Sequence, residues 1–404
     1  MHLPTPPPDE PWTLRARWSF PADAAAIPDG RVTIRNGLIE SVQATGAADL
    51  DLGNVAILPG FVNAHTHLDL GGLRGCCPPT PDLPAWLRCV IEGRRSMSAE
   101  QVQQAIADGI AESLRFGTTL AADISAGGAS WPLLKESPLW STVFYELIGL
   151  PSDRIVRAEQ DAHAWWYAAC MDCMDNERSR PGVSPHSPYS VHRALFARWW
   201  DVPVAIHLAE CLAELQLLRE HKGPFVDFLR DLGVWAPEGL VAGPAAVIEL
   251  MREAPHVLLI HGNYLPPDTP FYPNQTLVYC PRTHAAFGHP PHPFPAFLER
   301  GVRVALGTDS LASNPDLEML AEARFLHARY PDVPGDAVLR MLTLSGAEAL
   351  GWADRTGSLT PGKSADFVVL PLSDSEPADP HALVWESDRS VQHVVIRGRP
   401  VYPA

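Results

Sequence analysis

His65-Thr66-His67 follows an apolar run, Val55-Ala56-Ile57-Leu58-Pro59-Gly60-Phe61-Val62, that reads as a buried strand. Residues i and i+2 of a strand face the same way, so both imidazoles project from one side of its C-terminal end. Neutral imidazoles on one rigid element are donors that zinc and its neighbours accept. Four more ionisable residues directly follow other apolar runs: His186, His207, His261 and Asp309, the last in Gly307-Thr308-Asp309-Ser310. Singly, each has a plainer reading. A histidine at a strand end is commonly a hydrogen-bonded loop residue, and Asp309 could cap the next helix. Taken in order, the set points to a metal site with nitrogen and oxygen ligands and an open position.

Such a site needs a frame that gathers distant strand ends. Candidate strands are Gly117–Asp123, Ser141–Leu147, Gly182–His186, Val202–His207, Val257–His261, Leu277–Cys280 and Val302–Gly307, besides the one ending at His67. Helical patterns intervene, clearest over Ala99–Phe116 and Pro315–Tyr330. This alternation predicts a distorted (β/α)8 TIM barrel, whose C-terminal face collects strand ends. No fixed period links the units, which excludes a solenoid. The chain ends differ. Arg31–Glu40 reads as strands about an Asn36-Gly37 turn, and Ala365–Leu370 and Val391–Arg397 are again strand-like. Residues 1–55 and 357–404 are therefore expected to pair as one small β-sandwich domain, leaving 56–356 to the barrel. Proline-rich stretches (Pro78–Pro84, Pro266–Pro273, Pro290–Pro295) read as loops over the barrel mouth.

The 404 residues are 46% hydrophobic and 19% charged, a globular composition. A formal net charge of −16 argues against nucleic acid and anionic membrane surfaces as partners. Apolar runs are too short to span a bilayer, and Met1–Pro8 has no secretory pattern, so a cytoplasmic protein is expected. Seven scattered cysteines make no disulfide framework. Cys170-x-x-Cys173 falls in an expected helix, His163–Asp175, and reads as reduced thiols.

The motifs Pro59–His67, His207-Leu208-Ala209-Glu210, His261-Gly262-Asn263 and Gly307-Thr308-Asp309-Ser310 together resemble the amidohydrolase superfamily. They are most similar to its branch of cytosine, guanine and adenosyl-homocysteine deaminases and chlorohydrolases. Ser184–Ser190 is similar to that branch's strand-four motif, and Pro361–Val369 to its return to the small β domain. The resemblance implies His65, His67, His207 and Asp309 as metal ligands, Glu210, His261 and Asp309 as catalytic groups, and His186 as a substrate contact. Binuclear members bridge two ions with a carboxylated lysine at strand four. The lysines here are Lys135, Lys222 and Lys363, none at a strand end, so one divalent ion is expected. Zinc is the first choice, with iron and manganese also suited to these donors. The resemblance further implies a homodimer.

The implied reaction is attack of metal-bound hydroxide on an amino-substituted heterocycle, with release of ammonia. Asp309 and His261 would orient the hydroxide. Glu210, three residues past His207, would carry protons to the ring and the leaving amine. Its plainer reading is a charge favoured at a helix N-terminus. The other zinc-deaminase pattern, H-x-E with P-C-x-x-C, is absent. Hydrolysis of a cyclic amide, as in imidazolonepropionase-like relatives, or of a C–Cl bond is the alternative. A binding protein that lost the reaction would lack a ligand or acid, and none is missing.

For the substrate, Ala85–Arg95 has arginines where nucleoside-processing relatives carry a ribose-binding glutamate. This argues against adenosyl-homocysteine or methylthioadenosine. Its Trp-Leu-x-x-Val-Ile-x-x-Arg pattern is more similar to aminodeoxyfutalosine deaminases, whose substrate carries a benzoate. Arg94 or Arg95 would pair with that carboxylate, or else be solvated helix residues. After strand seven, His284 and His289 are expected substrate contacts and Arg282 an anion binder, unless they only order the loop. Trp86 and Phe287 would stack on a ring or fill core.

Overall fold

Eight parallel strands form one sheet: β1 (Phe61–Thr66), β2 (Thr118–Ser125), β3 (Trp140–Leu147), β4 (Ser179–Pro185), β5 (Val204–Leu208), β6 (Val257–His261), β7 (Gln275–Tyr279) and β8 (Val304–Leu306). The computed structural model describes residues 3–4, 9–174, 177–199 and 201–403. Most of Met1–Pro8 and the last residue of the expected His163–Asp175 helix lie outside that set. Each strand pairs in parallel with its sequence neighbour. Just beyond β8, the N–H groups of Thr308 and Asp309 donate to the His65 carbonyl at 3.1 and 3.0 Å, tying the last strand's end to the first. The fold is a (β/α)8 barrel with additional sheets from the chain ends.

Among the helices, α1 (Leu83–Ser96), α2 (Ala99–Arg115), α3 (Ile155–Asp172) and α4 (Leu212–Glu220) bear on the site. α2 begins with a full capping box: Ser98 accepts from the Gln101 N–H, and the Gln101 side chain accepts from the Ser98 N–H. α3 carries Cys170, and Cys173 caps its C-terminus; both are free and half-buried.

The two chain ends interleave. Val55–Pro59 pairs antiparallel with Phe367–Pro371, which pairs in turn with His393–Ile396. A second sheet joins Leu38–Gln43, Arg31–Arg35, Trp12–Arg15 and Leu50–Asp51. The Asn36-Gly37 turn has φ +55° and +75°, the left-handed pair of a tight hairpin. The seam differs from expectation. The run Val55–Val62 is not one strand: Val55–Pro59 belongs to the small sheet, and the barrel begins at Phe61. At Gly60 the N–H donates to the Asp366 carbonyl (3.0 Å), and a Cβ would sit 2.1 Å from Thr119 Oγ1. Only glycine lets the backbone cross there.

Candidate active site

Alternation along β1 sets the site. Val62 and Ala64 join a buried apolar cluster with Leu120, Ile260 and Val278, while His65 and His67 take the alternate positions. Asn63 locks β1 to β8, donating to Thr308 Oγ1 (2.8 Å) and accepting from the Thr308 N–H (3.1 Å). At the mouth, Ala209, His261 and Asp309 have φ of +51°, +68° and +62°. Left-handed backbone at non-glycine residues costs roughly 1–3 kcal/mol each and persists where surrounding contacts over-determine it. These contacts are present. His292 Nε2 donates to the His261 carbonyl (2.7 Å), and Thr66 Oγ1 donates to that of Asp309 (3.2 Å).

These strand ends converge on one point. His67 Nε2 and His207 Nε2 stand 3.3 Å apart, and Asp309 Oδ1 lies 3.3 Å from His65 Nε2 and 3.8 Å from His67 Nε2. Donor atoms of His65, His67 and His207 all fall within 4.8 Å of one another, as do those of His65, His261 and Asp309. Burial, reinforced by the neighbouring imidazoles, pushes His65 and His67 well below their usual pKa, and burial takes His207 to about 4. The rings are therefore neutral near pH 7. His207 Nδ1 donates to the His186 carbonyl (2.9 Å), which leaves the Nε2 lone pair facing the cluster. Among the described residues, His65 Nε2 and His261 Nε2 are buried with no hydrogen-bond partner. Asp309 Oδ2 accepts from Ser313 Oγ (2.8 Å), leaving Oδ1 for the cluster. Converging lone pairs, one carboxylate and unsatisfied buried nitrogens fit a divalent cation.

Glu210 stands beside this cluster. Its Oε1 is 3.5 Å from His261 Nε2, and the residue is 7% exposed. Its backbone is held by Glu214, whose carboxylate accepts from the N–H groups of Ala209 (2.9 Å) and Glu210 (2.8 Å). Asn263 Nδ2 donates to the Glu210 carbonyl (2.9 Å). Burial pushes Glu214 up to about 7. Burial, with Asp309 and Glu214 nearby, raises Glu210 well above the carboxylate range.

A cavity of about 310 Å³ opens over this floor, lined by His67, His186, His207, Glu210, His261 and Asp309 at its base. Its walls include Trp86, Arg94 and Arg95 of α1, together with Glu146, Arg154 and Leu232. Trp86 Nε1 donates to the Cys77 carbonyl, and its ring packs edge-on against Phe287. Arg94 already pairs with buried Asp69 through one guanidinium nitrogen, at 2.8 Å.

Three expected contacts are not brought to the cavity wall. Arg282 is already neutralised by Glu322 (2.7 Å) and Asp316 (2.6 Å), so it is no anion binder. His284 is buried against Tyr279 and His292, and His289 Nδ1 meets the Tyr264 hydroxyl at 3.0 Å. Lys135, Lys222 and Lys363 also stay clear of the cavity. Sequence reasoning missed Glu146, Glu214, Asp69 and Arg154. For Glu214 a signal existed: it lies one helical turn beyond Glu210, where it can reach back to that residue's backbone.

The profile described as "Amidohydrolase family" matches residues 56–401. The chain belongs to the amidohydrolase family. Within it, the chain is 31% identical over 374 residues to a 5-methylthioadenosine/S-adenosylhomocysteine deaminase of Nitratidesulfovibrio vulgaris, covering 87% of this chain and 79% of that one. A like-named deaminase of Syntrophobacter fumaroxidans is 29% identical over 417 residues, covering 94% and 89%. Among solved structures, an adenosine deaminase from Xanthomonas campestris with bound zinc superposes with a TM-score of 0.77 at 25% identity, covering 98% and 93%. The fold is shared with Helicobacter pylori aminofutalosine deaminase in complex with methylthio-coformycin (TM-score 0.83, 22% identity, covering 96% and 100%). As a member of the amidohydrolase family, the chain is a hydrolase acting on carbon–nitrogen bonds other than peptide bonds. Among the described residues, no helix is long and apolar enough to cross a membrane.

Proposed function

We propose that this chain is a mononuclear zinc-dependent deaminase that hydrolyses the exocyclic C–N bond of an adenine-type nucleoside and releases ammonia. The names of its relatives support the substrate class, against the expectation from Ala85–Arg95 that methylthioadenosine is disfavoured. The observation that carries the chemistry is Glu210: a buried carboxyl at the edge of the cluster, outside both groups of converging donors. An acid placed there can move protons without being consumed as a ligand.

His65, His67, His207 and Asp309 would hold the ion, and His261 and Glu210 would face the reacting atoms. The bound ion supplies Lewis acidity, lowering the pKa of water from about 16 to about 7. Glu210 protonates the ring nitrogen beside the amino-bearing carbon while the oxygen of water adds to that carbon. It is reprotonated from the added water and passes this proton to the amine. The C–N bond breaks, ammonia leaves, and the hydroxyl proton restores Glu210 as the carbonyl forms. His261, held neutral by burial, positions the attacking oxygen together with Asp309. Leu229, Leu232 and Val234 at the outer wall suit an apolar substituent on the sugar.

The test is an ammonia-release screen of the zinc-replete protein over adenine nucleosides, aminodeoxyfutalosine, guanine and pterins. Glu210→Gln is expected to keep stoichiometric zinc and to lose about 10²–10⁴-fold in turnover. Unchanged turnover would remove the proton-carrier role, and no ammonia from any nucleoside would remove the substrate class.

A further inference from the structure

Glu146 is a cavity-lining group that the deamination chemistry leaves unused. It stands next to last on β3, paired in register with Ser184 of β4. Its side chain is 15% exposed and lines the cavity. Among the described residues its carboxylate makes no hydrogen bond to the protein. His186 Nε2 stands 3.9 Å from Oε1, beyond hydrogen-bonding reach. A buried carboxylate facing a cavity without a partner is costly unless a ligand satisfies it.

The surroundings narrow the ligand. Arg94, the nearby cation, is already paired with Asp69 at 2.8 Å. Arg94, Arg95 and Arg154 all line the cavity, which disfavours an ammonium group. A ligand carboxylate at this spot would meet Glu146 itself. Adjacent hydroxyls remain: neutral, and able to donate to both carboxylate oxygens at once. Position agrees. β3 and β4 are neighbours, so Glu146 stands beside His186, whose ring centroid is 4.9 Å from that of His207 in the cluster. A nucleoside whose base reaches the cluster can set its sugar against Glu146 within the same cavity.

We infer that Glu146 anchors the substrate by accepting hydrogen bonds from a vicinal diol, making it the residue that selects ribonucleosides. This deepens the deaminase reading and rests on it for the orientation of the base. The test uses calorimetric binding to zinc-replete Glu210→Gln protein, with 5′-methylthioadenosine and its 2′,3′-dideoxy counterpart as probes. The ribonucleoside should bind about 10- to 100-fold more tightly than the dideoxy compound. Adding Glu146→Gln should erase most of that ratio, changing dideoxy binding less than about 3-fold. Equal affinities before the second substitution overturn the assignment, whether or not the double variant folds. A ratio that survives Glu146→Gln, or binding of neither probe, overturns it too. Diol selectivity without ammonia release would leave this subsite standing and remove the deaminase reading; ammonia release without selectivity would do the reverse.

Discussion

The floor and the outer wall of the cavity meet along His186 but are held by different forces. On the floor, His65, His207, His261 and Asp309 come from the ends of four barrel strands, and their backbones are pinned by named partners such as Asn63, His292 and Glu214. The wall draws largely on one helix, α1, where Trp86 is held by a hydrogen bond to the Cys77 carbonyl and Arg94 by an ion pair, with Leu229, Leu232 and Arg154 beside it. A site on strand ends keeps its geometry to fractions of an ångström, as proton transfer demands. A wall on a helix tolerates exchange of side chains, which is where substrates can be re-specified. The chemistry thus sits on strand ends, while much of the wall is the face of a helix.

Removing the ion should strain that division most. Chelation is expected to lower activity more than about 10³-fold, with recovery on adding zinc. Hydrogen exchange should quicken at His65–His67 and His261–Asn263 while α1 is unchanged; equal loosening of α1 would show that floor and wall are one unit. Next comes Glu214→Gln. The amide can accept only one of the two backbone N–H groups, so Glu210 loses its aim. A fall in kcat of about 10- to 100-fold with KM within about 2-fold is expected. A KM effect alone would mean that Glu214 serves the wall.

The smallest effect concerns His292, buried behind His261. Burial lowers its pKa from the ordinary 6.5 to about 4. The unfolded chain gains a proton as pH falls through 6.5 while the folded one does not, so this group's contribution is full above 6.5 and fades toward 4. His292→Gln should therefore destabilise more at pH 7 than at pH 5, by up to about 2 kcal/mol. Denaturant melts at both pH values check this; an equal or larger loss at pH 5 would contradict it.

His65 and His67 were legible because a strand has a period of two, and the order of His186, His207, His261 and Asp309 was legible because barrel strands deliver their ends to one face. Arg282 shows where that logic stops. The chain turns at once into the short helix Pro281–Ala286, which carries the guanidinium to Asp316 and Glu322, partners 34 and 40 residues onward. The break at Gly60 was hidden similarly, since its partner Asp366 lies near the other end of the chain.

Residue type and local period, both short-range properties, determined by themselves the alternating strands and helices, the six candidate site residues and the need for a cation. Tertiary structure alone decided that Glu214 holds Glu210, that Asp69 pairs with Arg94 and that Glu146 faces the cavity without a hydrogen bond among the described residues. Each depends on which distant carboxylate reaches which donor, and burial then sets what an unmet charge costs.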